Sequence, residues 1–195
     1  MQSFAAGVTI NLTREREGHS ACALSENLFW IKIKKGNIAL KNKISVLGCG
    51  RWGSFIAWYL ATKKGKEVWS WGPEEDYSYQ ILKQTGKNEY VTLDPSITLT
   101  SDLKAAVERA EIVIISISSQ GLRGFIERIR NCADISDKIF ILCMKGIEVE
   151  TGERLSEIMI GAGVDAQKIA VWVGPGHIQD FTAGIPNCMV IDSHN

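Results

Sequence analysis

The stretch Ile44-Ser45-Val46-Leu47-Gly48-Cys49-Gly50-Arg51-Trp52-Gly53 decides the fold. A short apolar run meets three glycines in the G-x-G-x-x-G spacing, and a helical pattern follows. In a dinucleotide-binding crossover each glycine has a steric duty. Gly48 makes the tight turn out of the strand, Gly50 lets a pyrophosphate approach the backbone, and Gly53 lets the helix pack closely on the sheet. Phosphates then meet exposed N–H groups at the positive end of the helix dipole. The spacing alone is common, because glycine is common in turns. Its weight comes from context: a strand before, a helix after, and a second strand at Val68 to Trp71.

Downstream, strand-length apolar runs alternate with helical segments. Ser54 to Lys64 carries a broad apolar face and stops at Lys-Lys-Gly, with cations at the helix C-terminal end. Glu67 to Trp71 reads as a strand, Gly72-Pro73 as a break, and Asp76 to Gln84 as a short helix before the irregular Gly86 to Pro95. Ile97 to Thr100 reads as a strand, and Ser101-Asp102 caps a helix running to Arg109. Ile112 to Ile117 is a continuous β-branched run, the pattern of a parallel strand buried on both faces. Gln120 to Asn131 reads as an amphipathic helix, Lys138 to Cys143 as a buried strand, and Glu153 to Ile160 as a helix capped by Thr151. Ile169 to Val173 is a strand stopped by Gly174-Pro175-Gly176. A helical turn at Ile178 to Ala183 and a strand at Cys188 to Ile191 follow.

This alternation predicts an α/β fold, a doubly wound, mostly parallel sheet of Rossmann type with helices on both faces. Ligands of such sheets bind past the carboxyl ends of the strands, near the point where strand order reverses. That rule selects the loops Gly48 to Gly53, Gly72 to Glu75, Ser116 to Gln120, Met144 to Gly146 and Gly174 to Gly176.

Residues 43–195 form the expected dinucleotide-binding domain, since 195 residues suffice for one sizeable domain and not for two plus an arm. Residues 1–42 read as an appended arm that the domain does not need. A disordered arm, an extra hairpin and residues translated upstream of the true start remain open for it. Lysine plus arginine and aspartate plus glutamate both number 22, so the zero formal charge gives no support to nucleic-acid binding. No apolar run approaches the ~20 residues of a bilayer span, which predicts a protein outside the membrane. The five cysteines form no C-x-x-C pair, which suits a reducing cytoplasm, and Cys49, Cys143 and Cys188 sit in or beside apolar strand-like runs, where cysteine usually behaves as a small core residue. His19, His177 and His194 are too dispersed to suggest a metal site.

Several residues have chemical potential. An acidic group for the adenosine ribose is expected at the end of the second strand, where Trp71-Gly72-Pro73 precedes Glu74, Glu75 and Asp76. That negative charge, with no arginine beside it, leans toward NAD over NADP, although Arg51 and Lys63-Lys64 offer cationic charge nearby. Lys145 directly follows a buried strand and precedes Gly146, which projects its ammonium over the cleft. There it can hold a phosphate, polarise a carbonyl or bond a cofactor amide, whereas the commoner case is a solvated lysine. Gly174-Pro175-Gly176-His177 is either an anion-approaching turn or an ordinary strand end, and His177 is more often a capping residue than an acid or base. Trp52, Trp58, Trp69 and Trp71 read as packing around the first crossover.

These stretches together resemble the bacterial-type NAD(P)-dependent glycerol-3-phosphate dehydrogenases over about Lys43 to Asp192. Gly48 to Gly53 is similar to the family's G-x-G-x-W-G turn, and Ser118-Ser119-Gln120-Gly121-Leu122-Arg123 to its P-S-Q-A-L-R segment. Lys145-Gly146-Ile147-Glu148 with Thr151-Gly152 is similar to K-G-I-E-x-x-T-G, and Gly174 to His177 with Gly184-Ile185-Pro186 to G-P-S-H…G-x-P. The resemblance implies that Arg51 and Trp52 flank the cofactor pyrophosphate, and that Lys145 contacts both nicotinamide and substrate. It implies that Gly174 and Gly176 line the substrate pocket, with Ile178 against the cofactor. The implied reaction is reversible hydride transfer between NAD(P)H and dihydroxyacetone phosphate, giving sn-glycerol 3-phosphate for lipid head groups, in an enzyme that is a homodimer at full length.

Four departures from the family pattern stand out. Gly176 replaces a Ser or Thr, Ile178 a small Ala, and Ser118 the common Pro. The family's C-terminal helical domain carries the proton-transferring lysine and the substrate-phosphate ligands, and that lysine is expected beyond Asn195. No catalytic residue is therefore assignable within the chain. The expectation is a cofactor-binding fragment with little turnover alone; the alternative is a non-catalytic dinucleotide-binding module or redox sensor.

Overall fold

Strand β1 (Lys43–Leu47) is an interior strand of a seven-stranded sheet, parallel to β2 (Glu67–Trp71) on one side and β4 (Ile112–Ile115) on the other. The computed structural model describes residues 43–174, 176–183, 185 and 189–194. The expectations for residues 1–42, Pro175, Gly184, Pro186 and Cys188 lie outside them. β3 (Thr98–Thr100), β5 (Ile139–Leu142), β6 (Ile169–Val173) and β7 (Val190–Ser193) complete the order β3-β2-β1-β4-β5-β6-β7. All neighbours run parallel except β7, which returns antiparallel to β6. The chain steps outward from β1 to β3, then crosses back to place β4 beside β1. The expected doubly wound sheet is thus found, and its strand order reverses between β1 and β4.

Both faces of the central strands are apolar because both are covered. Along β4, Val113 and Ile115 pack with Leu47, Phe140 and Leu142 on one face, whereas Ile114 packs with Val46 and Ile141 on the other. Alternating side chains of a strand point to opposite faces, so a strand covered twice reads as one unbroken apolar run. The first face is covered by α3 (Leu103–Arg109), α4 (Leu122–Cys132) and α5 (Leu155–Gly161). The second is covered by α1 (Arg51–Lys64) and α6 (Ile178–Thr182). α4 buries Leu122, Phe125, Ile126 and Ile129, four side chains at helical spacing; each contributes about 1.5–3 kcal/mol on full burial. α2 (Tyr77–Thr85) packs Tyr79 and Leu82 against Cys49.

Some element ends differ from the expectations. α1 begins at Arg51, not Ser54, because the Gly50 carbonyl already accepts from the Ser54 amide at 3.0 Å and the Ser54 hydroxyl at 2.8 Å. Its stop is as expected: Gly65 is left-handed at φ 59° and Lys63 and Lys64 occupy the last turn. α4 is preceded by a 3-10 turn, Ser119–Gly121. Thr151 does not cap α5, which starts at Leu155 after Arg154. The Thr151 hydroxyl instead donates to Glu148 at 2.5 Å. β5 ends at Leu142, so Cys143 lies just past the strand, half-buried and packed against the core of the second face, and its amide still donates to the Ile115 carbonyl at 3.0 Å.

Candidate functional site

The three glycines divide their duties. Gly48 sits at φ +109°, donates its N–H to the Trp71 carbonyl at 2.8 Å, and lies so close to β4 that a Cβ there would meet the Ser116 carbonyl oxygen at 2.1 Å. A Cβ on Gly53 would lie 1.7 Å from the Gly48 carbonyl oxygen, so this glycine seats α1 on the turn itself and not directly on the sheet. Gly50 differs: a Cβ there would meet nothing within 4 Å. The open space at Gly50 adjoins the first turn of a 14-residue helix whose N-cap has no capping side chain. Such a turn presents unpaired N–H groups and a positive dipole end, which fit a pyrophosphate.

Cys49, between the first two glycines, is 2% exposed, and burial, aided by the Asp76 charge, pushes its thiol up to about 12. It is a packing residue, as expected. Beyond it, the acidic cluster after β2 is largely committed to local structure. Glu74 pairs with Lys83 at 2.6 Å, which holds its carboxyl below the usual range, and Asp76 caps α2 by accepting from the Tyr79 amide at 3.1 Å. Trp71 is buried, its ring tilted 31° against that of Phe125 with centroids 5.3 Å apart, and its indole N–H donates to the Ser101 carbonyl at 3.0 Å.

At the carboxyl ends of β5 and β6 lies a cleft of about 280 Å³, lined by Arg51, Trp52, Cys143, Lys145, Gly176, His177 and Ile178. A smaller space of about 20 Å³, lined by Trp52, Cys143, Lys145, Trp172, Gly174 and Met189 among others, adjoins the same residues. The structure therefore brings Arg51, Trp52, Lys145, Gly174, Gly176 and Ile178 together, with Gly48, Gly50 and Gly53 in the turn that leads into Arg51 and Trp52. Trp52 is thus a cleft residue and not only packing, its ring edge-on to Phe55 at 5.9 Å and to Phe181 at 6.3 Å. Arg51 reaches across the cleft mouth: its Nη2 donates to Gln179 Oε1 at 2.6 Å and its guanidinium stands 4.9 Å from the Tyr90 ring centroid. The Lys145 side chain is exposed and makes no hydrogen bond or ion pair among the described residues.

Cys143 was not singled out for the site in the sequence, nor was Phe181 as the neighbour of Gly176. Cys143 lines the cleft, and burial holds its thiol far above the ordinary range; its position two residues before Lys145 was the available signal. Gly176 is buried, and a Cβ there would lie 2.6 Å from the Phe181 ring and 2.9 Å from Met189 Sδ. The Phe181 ring therefore occupies the space a serine or threonine would need, which makes the glycine at this position part of the packing.

The loop that carries Lys145 is fastened to the start of α4. Glu148, 6% exposed, accepts from Arg123 Nε at 2.9 Å, from Arg123 Nη2 at 2.7 Å and from the Thr151 hydroxyl. Arg123 also bridges to Glu153. Gln120 donates to the Ile147 carbonyl at 2.9 Å and accepts from the Val149 amide at 2.8 Å. Among the described residues, no group of three or more His, Cys, Asp or Glu side chains is placed to hold a metal ion.

An open sheet of this strand order, with a glycine turn at its switch point and a cleft past its carboxyl ends, defines the Rossmann-type class of domains. Residues 43–195 match the family model for the NAD-dependent glycerol-3-phosphate dehydrogenase N-terminus, and the chain belongs to that family. It is 33% identical over 157 residues to a glycerol-3-phosphate dehydrogenase (NAD(P)+) of Thermoanaerobacter sp. (strain X514), covering 78% of this chain and 46% of that protein. It is likewise 33% identical over 156 residues to that of Chlorobium phaeobacteroides (strain BS1), covering 77% and 46%. The crystal structure of glycerol-3-phosphate dehydrogenase from Coxiella burnetii superimposes with a TM-score of 0.70 at 26% identity, covering 80% of this chain and 47% of that one. The chain spans about half the length of the curated relatives it matches.

Proposed function

We propose that the chain is the dinucleotide-binding part of an NAD(P)-dependent glycerol-3-phosphate dehydrogenase. What supports this reading most is one convergence: Lys145, Gly174, Gly176 and Ile178 meet Arg51 and Trp52 at one cleft, beside a glycine turn that is open only at Gly50. A bound nicotinamide would supply the hydride exchanged with the C2 carbonyl of dihydroxyacetone phosphate. This chain's own residues bind and orient. The amides of the first turn of α1 and the Gly50 backbone receive the pyrophosphate, with Arg51 and Trp52 at its flank. Ile178 gives the cofactor an apolar contact, and Gly174 and Gly176 shape the substrate side. The Lys145 ammonium faces both, able to bond the nicotinamide amide and to stabilise charge on the substrate oxygen.

NAD is the preferred cofactor in this reading, because Glu75 and Asp76 follow β2 beside the Lys83-paired Glu74, and a 2′-phosphate would meet the negative charge of the first two. The proton-transferring lysine and the substrate-phosphate ligands are assigned outside this chain, to a helical domain with which it acts as a cytoplasmic homodimer. Among the described residues no helix is long and apolar enough to cross a membrane.

The test is a fluorescence titration of this chain with NADH and NADPH. Trp52 lines the cleft and serves as the reporter, whereas Trp71 is buried beneath Phe125 and does not. Saturable quenching by NADH, abolished by Gly50→Val, supports the reading. No binding of either cofactor at millimolar concentration refutes it.

A further inference from the structure

Two blocks of the sequence, Gln120 to Arg123 and Glu148 to Thr151, do not line the cleft, yet they are bonded to each other. The chain leaves β5 with the Cys143 amide on the Ile115 carbonyl, and it is fixed again at Ile147 by Gln120 and at Glu148 by Arg123. Only Met144, Lys145 and Gly146 lie between these anchors, with Met144 buried and Gly146 at φ +101°. The segment beyond is closed on itself by the Ile147–Arg154 bridge and by the Glu148 amide on the Glu153 carbonyl at 2.9 Å. A long, flexible ammonium gains directed reach only if its backbone is held, and here both ends are held. We propose that Arg123, Glu148 and Gln120 are positioning residues for Lys145, clamping its loop to the start of α4 so that the ammonium stands at the cleft.

The chemistry of the clamp suits the task. A planar guanidinium meeting a carboxylate at two points fixes direction as well as distance, which a lysine at position 123 would not do. Glu148 is buried, and the donors to its side chain are Arg123 and the Thr151 hydroxyl, so loss of Arg123 would leave a carboxylate with too few partners and free the loop to move. Gln120 is exposed and holds the loop only through its backbone, at Ile147 and Val149, which makes it the gentler site to perturb.

The proposal rests on the assignment of Lys145 to the cofactor, and two readouts keep them separate. The first is limited trypsin digestion of the native chain, comparing the Lys145–Gly146 bond with the bonds after Lys66 and Lys87. Arg123→Met and Gln120→Ala should each raise cleavage at Lys145 about tenfold relative to the other two bonds. A proportional rise at all three would show general loss of stability and overturn the clamp. If Arg123→Met does not fold, Gln120→Ala decides alone. The second readout is a double-mutant cycle in NADH affinity. Either clamp variant should raise Kd about fivefold in the native background and leave Kd unchanged in Lys145→Ala, as coupled residues do. Equal losses in both backgrounds overturn the positioning role. Selective cleavage at Lys145, combined with an unaltered NADH affinity of Lys145→Ala itself, keeps the clamp and removes Lys145 from the cofactor site.

Discussion

The glycine turn makes opposite demands at positions three residues apart, and a substitution series separates them. At Gly50 an alanine methyl would meet no atom within 4 Å, and the backbone, at φ −67°, suits any residue. Relief of unfolded-state entropy contributes about 0.4–1 kcal/mol in alanine's favour, and its poorer N-capping costs a similar amount, about 0.5–1 kcal/mol. The two nearly cancel, so Gly50→Ala should melt within about 2 °C of the parent on the usual scale of 2–4 °C per kcal/mol. At Gly53 the same methyl would lie 1.7 Å from the Gly48 carbonyl oxygen, a rigid backbone group that cannot turn aside. Overpacking of this kind costs about 1–3 kcal/mol, or roughly 2–12 °C in Tm for a chain of this size.

Cofactor binding should respond in the reverse order of cost. Gly50→Ala puts its methyl where the pyrophosphate is proposed to approach, and a loss of tenfold or more in NADH affinity corresponds to at least ~1.4 kcal/mol. Gly50→Val should leave no measurable binding. The assay is differential scanning fluorimetry for Tm beside Trp fluorescence for Kd. A Gly50→Ala chain that binds NADH as well as the parent refutes the placement of phosphate at this turn. A Gly53→Ala chain with unchanged Tm refutes the close contact with Gly48.

Lys145→Met should weaken NADH binding at least about fivefold with little change in Tm, since the side chain is exposed; equal affinity in isothermal titration removes it from the site. Trp52→Phe should abolish the NADH-induced quench and Trp71→Phe should preserve it, so a surviving quench in the former places the reporter elsewhere. Burial keeps Cys49 and Cys143 as neutral thiols at pH 8, and the thiolate is the reactive form. Iodoacetamide should therefore leave both unmodified in the native chain over an hour, by peptide mass spectrometry; prompt alkylation of Cys49 contradicts its packing. Arg123 first, then Thr151, holds the Glu148 carboxyl below its usual range, so its contribution is present above the ordinary carboxylate range and is lost as pH falls through the lowered folded value. The Tm gap between the parent and Glu148→Gln should accordingly narrow as pH drops below about 4, and a constant gap would show that ionisation of Glu148 is not what stabilises the loop.

The elements that the sequence made legible are those whose environment is uniform. β4 and β5 are covered on both faces, so every residue of Ile112–Ile115 and Ile139–Leu142 is apolar and the run announces a buried parallel strand. α4 shows the opposite case with equal clarity, one apolar face of Leu122, Phe125, Ile126 and Ile129 against arginines and a glutamate. Ends were less legible, because they are set by single hydrogen bonds. Thr151 looks like a helix cap until the fold offers its hydroxyl the buried Glu148 carboxylate, and the helix then starts at Leu155, two residues later than Glu153. Cys143 continues an apolar run in sequence, but the strand pairing of β5 ends at Leu142, and Cys143 lines the cleft just past it. Site residues at loop ends were recognisable from position, since strand ends of a doubly wound sheet face one crevice. The Arg123–Glu148 pair was not, because its partners are 25 positions apart and only the packing of α4 on β5 brings them together.

The site's side chains and turns fall into two sets by what satisfies them. Gly48 and Gly53 are closed against Ser116 and against each other, Arg51 is tied to Gln179 and Tyr90, and Gly176 is filled by Phe181. These contacts are complete within the domain and make it rigid at the switch point. The first turn of α1 at Gly50 and the ammonium of Lys145 face open space. A positive helix end and an exposed ammonium at the same crevice, each held in place by fully packed neighbours, form a preorganised pair of cationic groups; a ligand with a phosphate at one end and an acceptor oxygen at the other would meet both without rearranging the sheet. A domain whose open groups were scattered, or whose glycine at position 50 were filled like that at position 176, would have the same fold and no such site.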